Sequence, residues 1–175
     1  MPIDSILLIS VGELNENKNQ SIIIQALEQI NDKRIHFILC GEGNMRDRME
    51  AMLYNCKDNV HFLGHRSDVI ELLRASDVYV MPSQREGLSR SLMEAMCMGL
   101  PCVCSDIRGN RDLLHHNQGG MLCNSLNEYI NAINDISNSI IKMRQFGKFN
   151  SDTIQAFDVH IVKKELTRIY STVFI

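Results

Sequence analysis

Short apolar runs alternate with segments of helical spacing along most of the chain, and this alternation constrains the fold most strongly. Six runs have the length and composition of buried strands. They are Ile6 to Val11, Ile35 to Cys40, Val60 to Leu63, Asp77 to Met81, Pro101 to Ser105 and Gly120 to Cys123. Repeated strand-then-helix units give parallel pairing, because each helix carries the chain back to the end at which the strand began. The sequence therefore predicts an α/β fold, a doubly wound (Rossmann-like) parallel sheet of about six strands with helices on both faces.

The segments between the strands repeat apolar residues every three or four positions. This spacing predicts helices over Asn19 to Ile30, Asp68 to Ala75 and Ser89 to Met98, and one with Met45, Met49, Met52 and Leu53 on one side. The helix that ends at Met98 is followed by Gly99 and Pro101, which stop helices. Two or three polar-faced helices close the chain, and the last, Phe157 to Phe174, has amphipathic spacing.

Composition excludes several classes of function. The 175 residues carry a net charge of −3, which gives no general affinity for nucleic acid. No apolar run approaches the roughly 20 residues of a membrane-spanning helix. The chain has six cysteines without a C-x-x-C pair, and Cys40, Cys97, Cys102 and Cys104 lie in apolar segments. We therefore expect reduced, buried thiols in a cytoplasmic protein, with no disulfide and no zinc site.

The loops after the strands are where an open parallel sheet binds ligands, because helix N-termini point free N–H groups toward the carboxyl ends of the strands. These loops are Gly12 to Lys18, Gly41 to Asn44, Gly64 to Ser67, Pro82 to Ser89 and Asp106 to Asn110. Gly41-Glu42-Gly43 resembles the start of a dinucleotide-binding motif, yet Arg46 stands where the third glycine belongs. The segment therefore matches a dinucleotide-cofactor motif only in part and supports that function weakly.

The segment SQREGLSRSLMEAMCMGLP has the most specific spacing in the chain. It places Glu86 in a loop and Glu94 about one turn into the following helix. Between them lie the backbone N–H groups of Gly87, Leu88 and Ser89. Such N–H groups bind anions and the two carboxylates accept hydrogen bonds from hydroxyls, so a phosphorylated sugar would find both kinds of partner. The alternative is that both glutamates are solvated surface residues.

The motif resembles the E-x7-E segment of retaining glycosyltransferases of family 4, which have the two-domain GT-B fold. The surrounding segments agree in order and spacing. They are VGELNENKN after the first strand, ILCGEGN after the second, VHFLGHRSDV, ASDVYVMPS before the motif, and SDIRGNRDLL and GGMLCN after it. The resemblance spans roughly Ile6 to Cys123 and points to enzymes of bacterial capsule and exopolysaccharide assembly.

The resemblance implies that residues 1–175 form a single donor-binding domain. Lys18 would neutralise the donor diphosphate and Glu86 would contact the transferred sugar, so these two are the expected catalytic residues. Glu94 would bind the ribose hydroxyls, and the loop Gly64 to Arg66 would hold the nucleobase. The expected donor-binding residues are Gly12, Glu13, Lys18, Gly64, His65, Arg66, Glu86, Gly87, Leu88, Ser89, Arg90 and Glu94. The family transfers sugar with retention, and we expect no dedicated nucleophile, no cofactor and no metal ion.

Glu13 departs from the resemblance, since many family members have arginine at that position. At about 4 Å and an effective dielectric constant near 20, each interaction between unit charges amounts to roughly 4 kcal/mol before desolvation. A carboxylate that faced the diphosphate would therefore weaken binding. We expect one of three arrangements. The Glu13 side chain turns away from the diphosphate, the site is weakened or specialised, or Arg90 or Arg108 supplies the second cation.

The expected partners follow from the same resemblance. The donor is a nucleotide-diphosphate sugar, and the acceptor is a glycan or a lipid-linked saccharide bound by an amino-terminal half that is expected to lie outside this chain. The isolated chain is then expected to lack transferase activity, and the full-length enzyme to be cytoplasmic or peripheral at the inner membrane face. Two other functions stay open: a stand-alone nucleotide-sugar binding or regulatory module, and a dinucleotide-cofactor domain.

Overall fold

The computed structural model describes residues 4–173 and contains a six-stranded sheet. Its strands are β1 (Ile6–Val11), β2 (Ile35–Cys40), β3 (Val60–Gly64), β4 (Val78–Met81), β5 (Cys102–Ser105) and β6 (Gly120–Cys123). Neighbouring strands all pair in parallel, in the order β3-β2-β1-β4-β5-β6. The predicted parallel sheet is confirmed, and every predicted strand is present to within one residue at either end.

Eight α-helices lie within residues 4–173. They are α1 (Ser21–Ile30), α2 (Arg46–Glu50), α3 (Val69–Arg74), α4 (Arg90–Cys97), α5 (Arg108–Arg111), α6 (Leu126–Ser137), α7 (Ile140–Thr153) and α8 (Val159–Val173). Short 3-10 helices occur at Lys57–Asn59 and Ile154–Phe157. The helices cover both faces of the sheet, as the doubly wound prediction requires.

Side chains of the strands alternate between two hydrophobic cores, one on each face of the sheet. On β2, Phe37 and Leu39 belong to the core that α1, α6 and α7 cover, whereas Ile38 and Cys40 belong to the core that α3 and α4 cover. Strands that are buried on both faces have apolar residues at most positions, which explains the nearly continuous apolar runs in the sequence. The two cores hold the strands rigidly and leave the strand ends to carry polar loops.

Two helices are shorter than their apolar spacing predicted. Helix α1 begins at Ser21 and not at Asn19, because Asn19 has a left-handed backbone with φ of 52°. Helix α2 ends at Glu50, so Met52 and Leu53 lie in the turn beyond it and still pack on the core. A turn that covers the core therefore has the same apolar spacing as a helix.

Helix α4 contains most of the E-x7-E motif and has well-defined ends. Ser89 is its N-cap, and Ser89 Oγ accepts a hydrogen bond from Leu92 N at 3.4 Å. Beyond the last turn, Gly99 has a φ of 71°, a left-handed conformation that favours glycine, and Pro101 follows. The predicted span Ser89 to Met98 is therefore the helix together with its two caps.

The prediction that Cys97 is buried is wrong. The buried face of α4 is formed by Leu92, Ala95 and Met96. A rotation of about 100° per residue turns the next position away from that face, and Cys97 is exposed. Cys40, Cys102 and Cys104 are buried as predicted, and all six cysteines are free.

Helix α7 packs closely against the turn that follows α4. A Cβ atom added at Gly147 would stand 2.0 Å from the carbonyl oxygen of Gly99, so the approach requires glycine. The fully buried Asn150 donates hydrogen bonds from Nδ2 to the carbonyl oxygens of Leu100 and Gly119, both at 2.7 Å. These contacts tie α7 to the segments that lead into β5 and β6.

The last helix, α8, is exposed along its described length. Every side chain from Val159 to Ser171 is exposed, including Val162 and Leu166 of its apolar stripe. The predicted terminal helix is thus present from Val159, Phe157 ends a 3-10 helix before it, and Phe174 lies outside the described residues. None of the described helices is both long and apolar enough to cross a membrane.

Candidate functional site

The order of the strands creates a crevice between β1 and β4. The chain proceeds from β1 outward to β2 and β3, and then continues on the other side of β1 with β4, β5 and β6. At such a switch point the loops after the two central strands diverge, and open α/β sheets bind ligands there. The loop after β1 contains Lys18, and the loop after β4 contains Glu86. Two hydrogen bonds join the loops, from Gln84 N to Asn17 O (2.7 Å) and from Asn17 Nδ2 to Arg85 O (3.1 Å).

The two predicted catalytic residues form an ion pair across this crevice. Lys18 Nζ donates to Glu86 Oε1 at 2.6 Å, and the two side chains are only 22% and 14% exposed. The backbone of Lys18 is fixed as well, since its N–H donates to Asn15 Oδ1 at 2.9 Å. The crevice therefore contains a cation and a carboxylate in defined positions, and the charges of this pair cancel.

The loop that leads into α4 presents free backbone donors. Within residues 4–173, the N–H groups of Gly87, Leu88 and Ser89 have no hydrogen-bond partner. They precede the first turn of α4, where the helix dipole favours negative charge. The hydroxyl of Ser89 serves the helix and not the crevice, because it caps α4 and the residue is 5% exposed. This segment therefore offers a ligand its backbone N–H groups and not the Ser89 hydroxyl.

Glu94 lies in the second turn of α4, beside Arg90. Glu94 Oε1 is 3.7 Å from Arg90 Nη2, and the side chains are 35% and 88% exposed. An ion pair with this exposure contributes little to stability, so both groups can exchange partners. The placement of Glu86 in the loop and Glu94 in the helix is the arrangement predicted from the spacing.

A cavity of about 420 Å³ adjoins the ion pair at the carboxyl ends of β1, β2 and β3. Its lining residues are Val11, Gly12, Glu13, Cys40, Gly41, Glu42, His65, Arg66 and Val69. A Cβ atom at Gly12 would stand 3.4 Å from Lys18 Cε, which shows how close the cavity lies to the cation. Burial raises the pKa of the Cys40 thiol to about 11, so this part of the lining is uncharged at neutral pH.

The predicted nucleobase loop lies at this cavity. His65 and Arg66 line it, and Gly64 lies behind it, where the Gly64 carbonyl accepts a hydrogen bond from Gly41 N at 2.8 Å. The Arg66 guanidinium is held by Asp68 through hydrogen bonds of 2.8 and 2.5 Å. The guanidinium is therefore engaged within its own loop, and the backbone of the loop is the part open to a ligand.

Glu13 also lines the cavity and is exposed. Its side chain has no hydrogen-bond or ion-pair partner among the described residues, and the same holds for Glu42. The Glu13 carbonyl is fixed by a hydrogen bond from Gln20 Nε2 at 3.0 Å. Glu13 thus neither enters the core nor pairs with a compensating cation, and two carboxylates border the space beside Lys18.

Residues that the sequence interpretation missed support the Glu86 loop from behind. A Cβ atom at Gly109 would stand 2.1 Å from the Gly87 carbonyl oxygen, so α5 touches the backbone of that loop directly. The fully buried Asn110 fixes α5 by donating from Nδ2 to Ser105 O at 2.9 Å. In the sequence, only the position of Asp106 to Asn110 directly after a strand indicated that this segment lies near the site.

Other candidate sites have less support. Residues 4–173 contain no group of three or more His, Cys, Asp or Glu side chains placed to hold a metal ion. His115 packs edge-on against Phe149, and His116 Nδ1 accepts a hydrogen bond from Leu122 N. A larger cavity of about 630 Å³ between α4, α7 and α8 is lined by none of the predicted site residues. The crevice between β1 and β4 is therefore the candidate site.

Comparison with known proteins matches residues 2–152 to the family model described as Glycosyl transferases group 1. The chain is similar to the UDP-Gal:alpha-D-GlcNAc-diphosphoundecaprenol alpha-1,3-galactosyltransferase of Escherichia coli, with 32% identity over 139 residues, covering 74% of this chain and 36% of that protein. It is also similar to the putative glycosyltransferase EpsD of Bacillus subtilis (strain 168), with 32% identity over 123 residues, covering 68% and 32%.

The fold has a close match among solved structures. The Anabaena protein HepE in complex with UDP and glucose aligns with a TM-score of 0.85 and 25% identity, over 96% of this chain and 48% of that one. The chain spans about a third of the length of the two sequence relatives and about half of HepE.

Proposed function

Because the chain belongs to the glycosyl transferases of group 1, we propose that it forms the donor-binding domain of a retaining glycosyltransferase. One observation carries the proposal: the Lys18–Glu86 ion pair stands in the switch-point crevice, next to free N–H groups and to the 420 Å³ cavity. The sheet and its helices form one half of a GT-B fold, and the crevice lies at the carboxyl edge of that sheet. A cation, anion-binding N–H groups and an adjoining cavity match the parts of a nucleotide-diphosphate sugar.

Each part of the donor has a proposed position. The diphosphate contacts the Lys18 ammonium and the N–H groups before α4, and the nucleobase enters the cavity that His65 and Arg66 line. Glu94 accepts hydrogen bonds from the ribose hydroxyls, and Glu86 accepts them from the transferred sugar. Carboxylates suit these two positions because they only accept hydrogen bonds, and every sugar hydroxyl has one to donate.

The proposed reaction exchanges one bond at the anomeric carbon for another. The bond from that carbon to the diphosphate oxygen breaks, and the acceptor hydroxyl oxygen forms a bond to the same carbon on the same face, which retains the configuration. The electron pair of the broken bond stays on the diphosphate, and the proton of the acceptor hydroxyl passes to the departing oxygen. Negative charge therefore develops beside Lys18 and the N-terminus of α4, which stabilise the transition state.

Glu86 and Lys18 have different roles in this reaction. Glu86 orients the sugar from a position fixed by the hydrogen bond to Lys18, and the same-face reaction proposed here needs no covalent intermediate on its carboxylate. Lys18 is the cation that neutralises the leaving group, so the proposal includes no metal ion and no other cofactor. Both residues must keep their positions for the sugar to transfer.

We propose a growing glycan or a lipid-linked saccharide as acceptor, in the synthesis of a surface polysaccharide. The Escherichia coli relative supports this proposal, because its name specifies a diphosphoundecaprenol-linked acceptor. The acceptor would be held by a region corresponding to the part of the relatives that this chain does not match. The isolated chain should then bind donor without transferring sugar, and the full-length protein should work in the cytoplasm, at the inner membrane face when its acceptor is lipid-linked.

Calorimetric titration of the chain with UDP, GDP, ADP and NAD tests donor binding. We expect at least one nucleoside diphosphate to bind and NAD to fail. Lys18→Ala and Glu94→Ala should each weaken that binding by about tenfold or more, because a hydrogen bond to a charged group contributes about 1.5–3 kcal/mol. Lys148→Ala, which removes an exposed lysine of α7, is the matched control and should bind as the parent does.

Two results would count against the proposal. Failure of every nucleoside diphosphate to bind would remove its basis, and binding that neither Lys18→Ala nor Glu94→Ala weakens would place the ligand elsewhere. Binding of NAD alone would favour the dinucleotide-cofactor function. Efficient sugar transfer by the isolated chain would show that the acceptor site lies within it.

A further inference from the structure

The crevice has too little positive charge for an anionic ligand. Lys18 is its predicted cation, but the Glu86 carboxylate 2.6 Å away cancels that charge. Glu13 and Glu42 add two carboxylates beside it that have no partner among the described residues. A diphosphate group brings further negative charge. Because like charges in a partly enclosed site repel strongly, a diphosphate can bind tightly only when another cation reaches it.

Two arginines of the surrounding loops are already engaged. Arg66 is held by Asp68 through two hydrogen bonds from its guanidinium. Arg111 donates from Nε to Asp106 Oδ1 and from Nη2 to the Asp106 carbonyl. Each would have to leave a bidentate contact with an aspartate residue to reach a new ligand. Arg66 and Arg111 are therefore less available to a diphosphate than an arginine without a partner.

Three arginines remain as candidates for the second cation. They are Arg85 in the loop before α4, Arg90 at the start of α4, and Arg108 in α5. Arg90 lies 3.7 Å from Glu94 and lines a separate cavity of about 190 Å³ with Ile70. Arg85 and Arg108 are exposed, and their guanidinium groups have no hydrogen-bond or ion-pair partner within residues 4–173. Arg85 and Arg108 are thus the two candidates that can bind a ligand without leaving any existing contact among the described residues.

The backbone that carries Arg108 is fixed against the anion-binding loop. Its neighbour Gly109 touches the loop so closely that a Cβ atom there would stand 2.1 Å from Gly87 O. Asn110, on the other side, is fully buried and bound to Ser105 O. Consecutive Cα atoms are about 3.8 Å apart, so the Arg108 Cα lies one residue from the point at which Gly109 meets the Gly87 carbonyl. Arg108 therefore belongs to a segment that packs directly on the loop whose N–H groups would bind a diphosphate.

We propose that Arg108 supplies the second cation of the diphosphate site, from the loop after β5, in a chain that has Glu13 in the loop after β1. The inference rests on the proposed function and deepens it by adding a residue that binds the donor. A guanidinium presents paired N–H donors that bind two phosphate oxygens at once. Arg108 should therefore favour a nucleoside diphosphate over a monophosphate.

The test compares UDP and UMP binding by calorimetry in single arginine variants of the whole chain. Arg108→Ala should weaken UDP binding by about tenfold, since it removes one charge-assisted contact, and should change UMP binding much less. Arg144→Ala removes an exposed arginine of α7 and should leave both affinities unchanged. The double change Glu13→Arg with Arg108→Ala should restore UDP binding, because it returns a cation to the loop after β1.

The outcomes separate this inference from the proposed function. Parent-like UDP binding by Arg108→Ala, when Lys18→Ala binds weakly, would overturn the role of Arg108 and leave the donor site intact. A loss confined to Arg85→Ala would assign the second cation to the loop after β4 and overturn the inference in the same way. Equal losses of UDP and UMP binding in Arg108→Ala would indicate a general disturbance of the loop and also contradict it. Failure of UDP, GDP and ADP alike to bind the parent chain would remove both proposals together.

Discussion

At the scale of single residues, one carboxylate fixes the loop that follows α2 through several hydrogen bonds. Glu28 of α1 accepts hydrogen bonds from the backbone N–H groups of Tyr54 (2.8 Å), Asn55 (2.9 Å) and Cys56 (3.1 Å), and from the Cys56 thiol. Burial by itself would raise the pKa of Glu28, but these hydrogen bonds outweigh it and lower the pKa from 4.5 to about 2. The folded protein therefore stabilises the charged form of this side chain.

Glu28→Gln should lower the free energy of unfolding by about 1–3 kcal/mol at neutral pH, because an amide cannot accept the same set of hydrogen bonds. The contribution of Glu28 is complete above the unfolded pKa of 4.5 and is lost as the pH falls from there toward about 2. Urea unfolding of both proteins between neutral and acid pH measures the difference, which should shrink below pH 4.5.

An exposed carboxylate provides the control for this prediction. Glu71→Gln in α3 changes a side chain with no partner among the described residues and should alter the free energy of unfolding by less than about 0.5 kcal/mol. A difference between parent and Glu28→Gln that stayed constant down to acid pH would show that the hydrogen bonds do not depend on the charge.

The sequence predicted where the candidate site residues lie better than it predicted which residues they contact. Motif spacing placed Glu86 in a loop and Glu94 in a helix, as the structure has them, whereas Lys18 was selected through the family resemblance. The contact between Lys18 and Glu86 joins residues 68 positions apart and depends on the order of β1 and β4 in the sheet. Spacing along a chain contains no direct record of strand order, so the ion pair was not predicted.

Elements also differ in how well the sequence predicted them. The strands agree to within one residue because packing in the two cores makes most of their positions apolar. Helix α2 was predicted too long, because Met52 and Leu53 pack on the core from a turn. Helix α5 was predicted only as a loop, since its four residues are too few to show periodicity. The local pattern of apolar residues therefore identifies a strand or a helix when the whole of it is buried or amphipathic.

Gly147→Ala tests the packing of α7 against the turn after α4. Alanine has the higher helix propensity by about 1 kcal/mol, so a helix in isolation would gain stability. In this protein the new Cβ would stand 2.0 Å from Gly99 O, and we expect the free energy of unfolding to fall by about 1–3 kcal/mol instead. Thermal or urea unfolding gives the sign directly.

The same helix offers a matched control. Gln145→Ala changes an exposed position of α7 two residues away and should leave stability within about 0.5 kcal/mol of the parent. If Gly147→Ala proved more stable than the parent, the close approach of α7 to Gly99 would be incorrect.

The whole molecule consists of a packed sheet domain and an exposed last helix. All described side chains of α8 up to Ser171 are exposed, whereas the 3-10 helix before it buries Ile154 in the core. The helix therefore contributes little of the buried apolar surface that stabilises the domain. Its apolar stripe also leaves Val162 and Leu166 in contact with water.

Removal of residues 159–175 should leave the sheet domain folded. We expect the free energy of unfolding and the affinity for nucleoside diphosphate to stay close to the parent values, within about 0.5 kcal/mol, because no described core residue is removed. Urea unfolding and calorimetric titration of the shortened chain measure both quantities. A marked loss of stability would mean that α8 packs on the domain in solution.

The position of β1 in the sheet has a consequence for how the protein is made. The strands on one side of β1 come from the chain up to and including Gly64, and those on the other side come from the chain from Val78 onward, which the ribosome produces later. Lys18 belongs to the earlier portion and Glu86 to the later one, so neither portion alone contains the ion pair. During synthesis the crevice cannot exist until the second portion docks along β1. The proposed nucleotide binding would then be an assay for completed assembly, because it reports a feature that both portions must build together.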